Sequence, residues 1–258
     1  MLANLLLTRK RQGSHTMAYP HGPAPVLPQR FPGMPGIVAD LCMPDCPAPC
    51  IQACSTEAVT RIDGHIQIDT GKCLFCRECE QACPCGAICF TGQHRLAAAR
   101  REDLIIDSMP THGPAAKNIN ATKSFGHSFA LRVVSAGGCG ACEADVNVLN
   151  TLAWDLGRFG IHYVASPRHA DGLLVVGPVT KNMETAIKVT YAAIPAPKYV
   201  IAVGTCAVSG GMFLNMNECN NGVDTVIPVD LYIPGCPPHP LTILDGLLGF
   251  LGKCPGLE

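Results

Sequence analysis

Over residues 129–258 short runs that are apolar at nearly every position alternate with longer stretches whose apolar residues recur every three or four positions. The runs at 130–135, 162–165, 172–176, 199–203 and 229–233 predict strands, and the stretches at 142–156, 180–193 and 241–251 predict helices. Strands apolar on both faces must be covered on both sides, so this part predicts an α/β doubly wound parallel sheet. Upstream the pattern changes. Two β-like segments at 58–62 and 65–68 flank Asp63-Gly64, a strong hairpin signal. Residues 93–128 mix a charged helix prediction at 96–102 with Pro110, Gly113, Pro114 and Gly126, and read as a linker draped over a neighbour. Residues 1–36 carry Pro20, Pro23, Pro25, Pro28, Pro32 and Pro35 and predict an extended or disordered Pro/Gly-rich arm. Four segments result: 1–36, 37–92, 93–128 and 129–258.

Segment 37–92 holds two cysteine runs. The second, Cys73-x2-Cys76-x2-Cys79-x3-Cys83-Pro84, has the spacing of a bacterial dicluster ferredoxin, in which three close cysteines serve one cluster and the fourth serves the other. The first, Cys42-x3-Cys46-x3-Cys50-x3-Cys54, departs from it, with wider gaps stiffened by Pro44, Pro47 and Pro49 and with Ser55 after the last cysteine. By the fourth-cysteine rule one site takes Cys54, Cys73, Cys76 and Cys79, and the other takes Cys42, Cys46, Cys50 and Cys83. The departure leaves the loop geometry and potential of the second of these open, a three-iron cluster included. Cys54-Ser-Thr-Glu-Ala-Val answers Cys83-Pro-Cys-Gly-Ala-Ile as an internal repeat, which predicts an α+β ferredoxin-like domain ahead of the parallel sheet.

The remaining cysteines follow the topology. Ligands of open α/β sheets gather outside the carboxyl ends of the strands. Cys139 and Cys142 lie after the first predicted strand, Cys206 after the fourth and Cys236 after the last, each with a glycine within two residues. Twelve thiolates thus make three sets of four, the number that three 4Fe–4S clusters require. Cys-x2-Cys pairs also bind zinc, and a non-enzymatic zinc-binding scaffold is the alternative from another class.

Composition narrows the function. A chain of 258 residues can fold without disulfides, so its sixteen cysteines call for another use. The apolar residues at 1–7 precede Arg9-Lys10-Arg11, the reverse order of a secretory signal, and no twin-arginine export signal is read, so reduced, metal-bound thiols in a cytoplasmic setting are expected. Net charge is −1 with 15% charged residues, which argues against nucleic acid as a partner. No apolar run approaches the ~20 residues of a transmembrane helix.

Residues 126–252 resemble the family that unites the small subunits of membrane-associated group 4 nickel–iron hydrogenases, formate hydrogenlyase among them, with the 20 kDa cluster subunit of respiratory complex I. The resemblance is carried by Ser135-Ala-Gly-Gly-Cys139-Gly-Ala-Cys142-Glu143, by 165–180 with Gly177-Pro178-Val179-Thr180, by Gly204-Thr205-Cys206-Ala-Val-Ser-Gly-Gly211, and by Pro234-Gly235-Cys236-Pro237-Pro238. It implies a flavodoxin-like fold, one 4Fe–4S cluster on Cys139, Cys142, Cys206 and Cys236, and exchange of electrons with a nickel–iron catalytic large subunit. It also implies further electron-transfer and membrane subunits, and a peripheral position on the inner face of the cell membrane. The complex I branch has adjacent cysteines where this chain has Cys139-x2-Cys142, so the hydrogenase branch is the closer match. The alternative keeps the relay and removes the nickel, as in a complex I-like quinone or ferredoxin oxidoreductase. Paired Cys-x2-Cys motifs of a nickel-binding large subunit are missing, so no nickel ligands are expected here and the chain is an oxidoreductase component, not catalytic alone.

Smaller expectations remain. Glu143 is a candidate for a proton pathway by the resemblance, and it and Asp145 equally suit a helix start. Arg168 and His169 either approach a cluster or cap a strand, and Thr180 is the expected N-cap of the next helix. Cys85, Cys89, Cys219 and Cys254 exceed the twelve and read as packing residues, with Cys85 near enough to a cluster loop to compete as a ligand.

Overall fold

The computed structural model describes residues 2–22, 25–43, 45–110, 113–114, 116–125 and 127–254. Pro23, Pro44 and Gly126, used in the sequence reading, lie outside them.

The first element corrects an expectation. Within the arm expected to be extended, helix α1 spans Leu2–Gln12. Leu, Ala, Arg, Lys and Gln are good helix formers, and the Pro- and Gly-rich composition begins only at Gly13, whose φ of +67° ends the helix. The rest of the arm is anchored: Tyr19 and Met34 are buried, and Arg158 donates hydrogen bonds to the carbonyls of Met17 and Tyr19.

Two copies of a strand–helix–strand unit follow. They are β1 (Pro35–Ile37), α2 (Pro49–Gln52) and β2 (Val59–Ile62), then β3 (His65–Asp69), α3 (Glu78–Ala82) and β4 (Ile88–Phe90). The copies interlock, β1 pairing antiparallel with β4 and β2 with β3. Asp63 and Gly64, at φ 51° and 84°, make the predicted tight turn between β2 and β3, in which both central residues need positive φ. The small core between the units contains Ile37, Val59, Ile66, Ile68 and Ile88 together with Cys50 and Cys79.

The expected linker is built into the molecule. β5 (Ile105–Ile106) adds to β3, and Ala98 forms a bridge with Tyr232. Residues 96–102 do not form the predicted helix; the turn of 3₁₀ helix comes later, at Arg101–Leu104. Leu96, Ala97 and Ala98 are buried in succession, which a one-sided surface helix does not allow and an extended segment pressed against a sheet does. α4 (Ile119–Phe125) then leads into the second sheet.

That sheet comprises β6 (Phe129–Ser135), β7 (Ile161–Tyr163), β8 (Gly172–Val176), β9 (Tyr199–Val203) and β10 (Leu231–Ile233), all parallel, in the spatial order β10-β9-β8-β6-β7. Counted from β6 as the first, this is 2-1-3-4-5, the flavodoxin-like order. Its connections include α5 (Ala141–Val148), α6 (Lys181–Ala193) and α7 (Thr205–Ser209), and α8 (Pro240–Phe250) closes the fold. Leu131, Leu174, Val176, Ile201 and Val203 face one buried layer with α8, while Leu173, Val175, Val200 and Ala202 face another with Ile187 of α6 and Val208 of α7. The helix predicted over 142–156 stops at Val148, and the chain turns through Asp155, at φ 46°, into a second 3₁₀ segment.

Candidate functional site

The cysteine loops leave the carboxyl ends of β6, β9 and β10, and they converge. Cys139 and Cys142 lie at the start of α5, Cys206 in the first turn of α7, and Cys236 in the loop between β10 and α8. Burial raises the Cys142 thiol to about 12, and then the charges of Cys206 and Cys236 add to it. Cys206 is pushed up to about 11 by burial and next by Cys236 and Cys139. Cys236 rises through burial and Cys139. The loops meet at Gly204-Thr205: Gly204 lies against Cys142 Sγ, and Thr205 N–H donates to the Gly235 carbonyl at 2.8 Å.

The backbone leaves room for a bulky group there. A Cβ added to Gly204, at φ +91°, would stand 2.5 Å from Cys142 Sγ, and one at Gly211 would stand 3.0 Å from Cys206 Sγ. Only glycine lets the strand-end turns approach the sulfurs this closely.

The ferredoxin-like units make two further sets. Cys54, Cys73, Cys76 and Cys79 line one cavity with Val59 and Phe90. Burial pushes the Cys73 and Cys79 thiols up to about 12, with Cys54 and Cys76 among the charges that add. The sulfurs are also addressed by the main chain: Phe75 N–H donates to Cys73 Sγ at 3.3 Å and Ala58 N–H to Cys54 Sγ at 3.2 Å. In the other set Cys42 is raised by burial, then by Cys85, Cys83 and Cys46, and Cys50 by burial and then Cys83. Burial opposes ionisation of Cys83, yet N–H groups of Ile88 and Ala87 and the Cys85 thiol hold it below the ordinary thiol range. One influence crosses between the two ferredoxin-like sets, from Cys50 to Cys79, where α2 and α3 pack.

The residues present fit iron–sulfur clusters. Each set offers four thiols, and main-chain donors or glycine-lined space reach sulfurs in them. Among the described residues no three His, Cys, Asp or Glu close on a point that one bare ion would fill. A tetrahedral zinc needs its sulfurs within about 4 Å of one another, whereas a cubane seats each thiolate on a separate iron.

Two hydroxyls join the halves. Thr205 Oγ1 donates to the carbonyl of Cys73 at 2.8 Å and accepts from Gly235 N–H at 3.4 Å. Ser209 Oγ donates to the carbonyl of Gly71 at 2.9 Å, while Gly71 N–H is held by Asp69, itself in a two-point ion pair with Arg101. The sequence reading missed both. Thr205 stands directly before a ligand cysteine, but nothing local indicates that its hydroxyl faces another segment.

The remaining expectations divide. Ser135 Oγ donates to Glu143 Oε1, and Glu143 Oε2 is buried without a partner. Asp145 is raised by burial. Arg168 and His169 are exposed in a turn that precedes β8, whereas the cysteine loops follow their strands. Thr180 occupies the N-cap position of α6, yet its side chain makes no capping bond. Cys89 lies 3.6 Å from Met109 Sδ, Cys219 bridges Thr180 through the backbone, and Cys254 is buried against Asp245. Cys85 alone of the four stands in a ligand set, its sulfur 3.7 Å from Cys83 Sγ.

Comparison with known proteins agrees with the α/β part. The NADH ubiquinone oxidoreductase 20 kDa subunit family matches residues 139–250. The probable membrane-bound hydrogenase subunit mbhJ of Pyrococcus furiosus is 43% identical over 120 residues, covering 46% of this chain and 72% of that protein. An NADH-quinone oxidoreductase subunit of Citrifermentans bemidjiense is 46% identical over 116 residues, covering 45% of this chain and 68% of its own length. A chain from the archaeal membrane-bound sulfane sulfur reductase matches at a TM-score of 0.45 and 33% identity, over 53% of this chain and 77% of that one. No described helix is long and apolar enough to cross a membrane. By its strand order, its strand-end cysteines and the first two of these relatives, the chain belongs to the NADH ubiquinone oxidoreductase 20 kDa subunit family and is a component of an oxidoreductase complex.

Proposed function

We propose that this chain is the iron–sulfur relay subunit of a membrane-associated, hydrogenase-type complex, with three 4Fe–4S clusters held by the twelve cysteines. When bound, each cluster supplies reversible one-electron storage. The observation that carries the reading is the contact from Cys73 to Thr205: a residue of one ligand set hydrogen-bonds the neighbour of Cys206 in another. With α2, which carries Cys50, packed against α3, which carries Cys79, this reading orders the sets as Cys42/46/50/83, then Cys54/73/76/79, then Cys139/142/206/236.

The terminus follows from the exposed end. Cys139 and Cys236 are exposed, and Met212, Phe213 and Met216 present apolar surface on the segment after Cys206, which suits docking of a catalytic large subunit. The separated pair Cys139-x2-Cys142 favours a nickel–iron partner over a nickel-free quinone or ferredoxin oxidoreductase. Membrane association would then come through partner chains on the inner face. Anaerobic purification of the tagged chain with its partners, followed by metal analysis, tests this. About twelve irons per chain together with nickel in the complex is expected; intact clusters without nickel move the terminus to the alternative, and zinc without iron overturns the relay.

A further inference from the structure

A fifth sulfur stands beside the set Cys42, Cys46, Cys50 and Cys83. Cys83 Sγ and Cys85 Sγ are 3.7 Å apart. Two thiolates on one tetrahedral metal, with metal–sulfur bonds of about 2.3 Å, stand just under 4 Å apart. The pair is thus spaced so that one metal can be reached from either sulfur. The chain supports this placement: Cys83 ends α3, Pro84 fixes the backbone, and Gly86, at φ +64°, turns the chain towards β4 so that Cys85 is carried past the site. Cys85 is half-buried, and among the described residues its sulfur makes no other side-chain hydrogen bond.

We propose that Cys85 is a fifth, exchangeable ligand of the cluster on Cys42, Cys46, Cys50 and Cys83, acting as a thiol donor to Cys83 Sγ in the resting protein and as the ligand when Cys83 is lost. The proposal rests on the cluster reading above. Cys83 is the ligand at rest because it is the fourth cysteine of the Cys73-x2-Cys76-x2-Cys79-x3-Cys83 spacing. The Cys85 S–H then donates to that sulfur and favours the more negative, reduced state of the site. In exchange the Cys85 S–H bond breaks, its proton passes to solvent, and an S–Fe bond forms; Cys83, when present, leaves its iron and takes up one proton. No electron is transferred, so no oxidant or reductant is required.

Iron content and redox-poised electron paramagnetic resonance of the full chain test this in wild type, Cys83→Ser, Cys85→Ala and the double variant Cys83→Ser/Cys85→Ala. Wild type at about twelve irons supports the parent reading; far fewer would end that reading irrespective of Cys85. Cys83→Ser is expected to keep about twelve and the double variant about eight, with the other two cluster signals unchanged in both. Loss of four irons from Cys83→Ser alone, with those signals intact, overturns the exchange. Should Cys83→Ser fail to fold, Cys85→Ala still decides. It should retain all three clusters and show about a tenfold lower reduced-to-oxidised ratio at fixed potential for one of them, a shift of about 59 mV. An unshifted potential in that variant overturns the thiol donation.

Discussion

The hydroxyl of Thr205 donates to the main-chain carbonyl of Cys73 across the boundary between the ferredoxin-like units and the parallel sheet, in a fully buried setting. One oxygen therefore fixes the register of two ligand loops and, through Gly235 N–H, touches the loop of Cys236 as well.

Thr205→Val keeps the shape of the side chain and deletes the bond. A buried carbonyl and a buried N–H lose their partner, which costs about 1–3 kcal/mol. Thr205→Ser should recover most of it. Denaturant unfolding measures the cost, and the magnetic interaction between the two reduced sites, read as splitting in paramagnetic resonance, should weaken in the valine variant alone. An unchanged splitting would remove Thr205 from the path between the sites.

Gly204→Ala places a methyl group 2.5 Å from Cys142 Sγ and forces a side chain onto a backbone at φ +91°. The expected result is a folded chain that loses about four irons while the signals of the ferredoxin-like sites persist. Full iron content in this variant would mean that the strand-end sulfurs do not enclose a cluster.

Tyr19→Phe should free the N-terminal arm. The Tyr19 hydroxyl donates to Asp245 and lies 3.3 Å from His94 Nε2, while Arg95 pairs with the same carboxylate at 3.4 Å. Losing a buried bond to a charged acceptor costs about 1.5–3 kcal/mol. Trypsin cleavage at Arg30 should accelerate at least tenfold if it follows the opening equilibrium. Equal cleavage rates would show that the arm is held elsewhere.

The same cluster should make stability acid-sensitive. Burial holds His94 below the ordinary histidine range; Asp245 pulls it back up and Arg95 adds to the depression. His239, packed edge-on to Phe31 and Trp154, is lowered by burial and then by His94. Because the unfolded pKa is about 6.5 and the folded values lie below it, the unfolded chain binds more protons once pH falls under that value. Stability is therefore full above about pH 6.5 and is lost as pH falls through the folded pKa values. Melting at pH 7.5 and 5.5 should show a smaller acid loss in His94→Gln/His239→Gln than in wild type. Equal losses would place the sensitivity on other groups.

Sequence alone determined the elements and the donors. An all-apolar strand such as 172–176 cannot be other than buried on both faces, Asp63-Gly64 dictates its turn, and cysteine at the ends of β6, β9 and β10 follows from where α/β sheets open. Tertiary structure decided what depends on distant partners. Residues 96–98 became extended because they press against Tyr232 and α8, the arm became ordered because Tyr19 found Asp245, and Cys85 entered a ligand set because Gly86 turns the chain there. The bond from Thr205 to Cys73 spans 132 positions along the chain. No local pattern encodes a hydrogen bond of that range, because its geometry exists only once two separately folded pieces have packed.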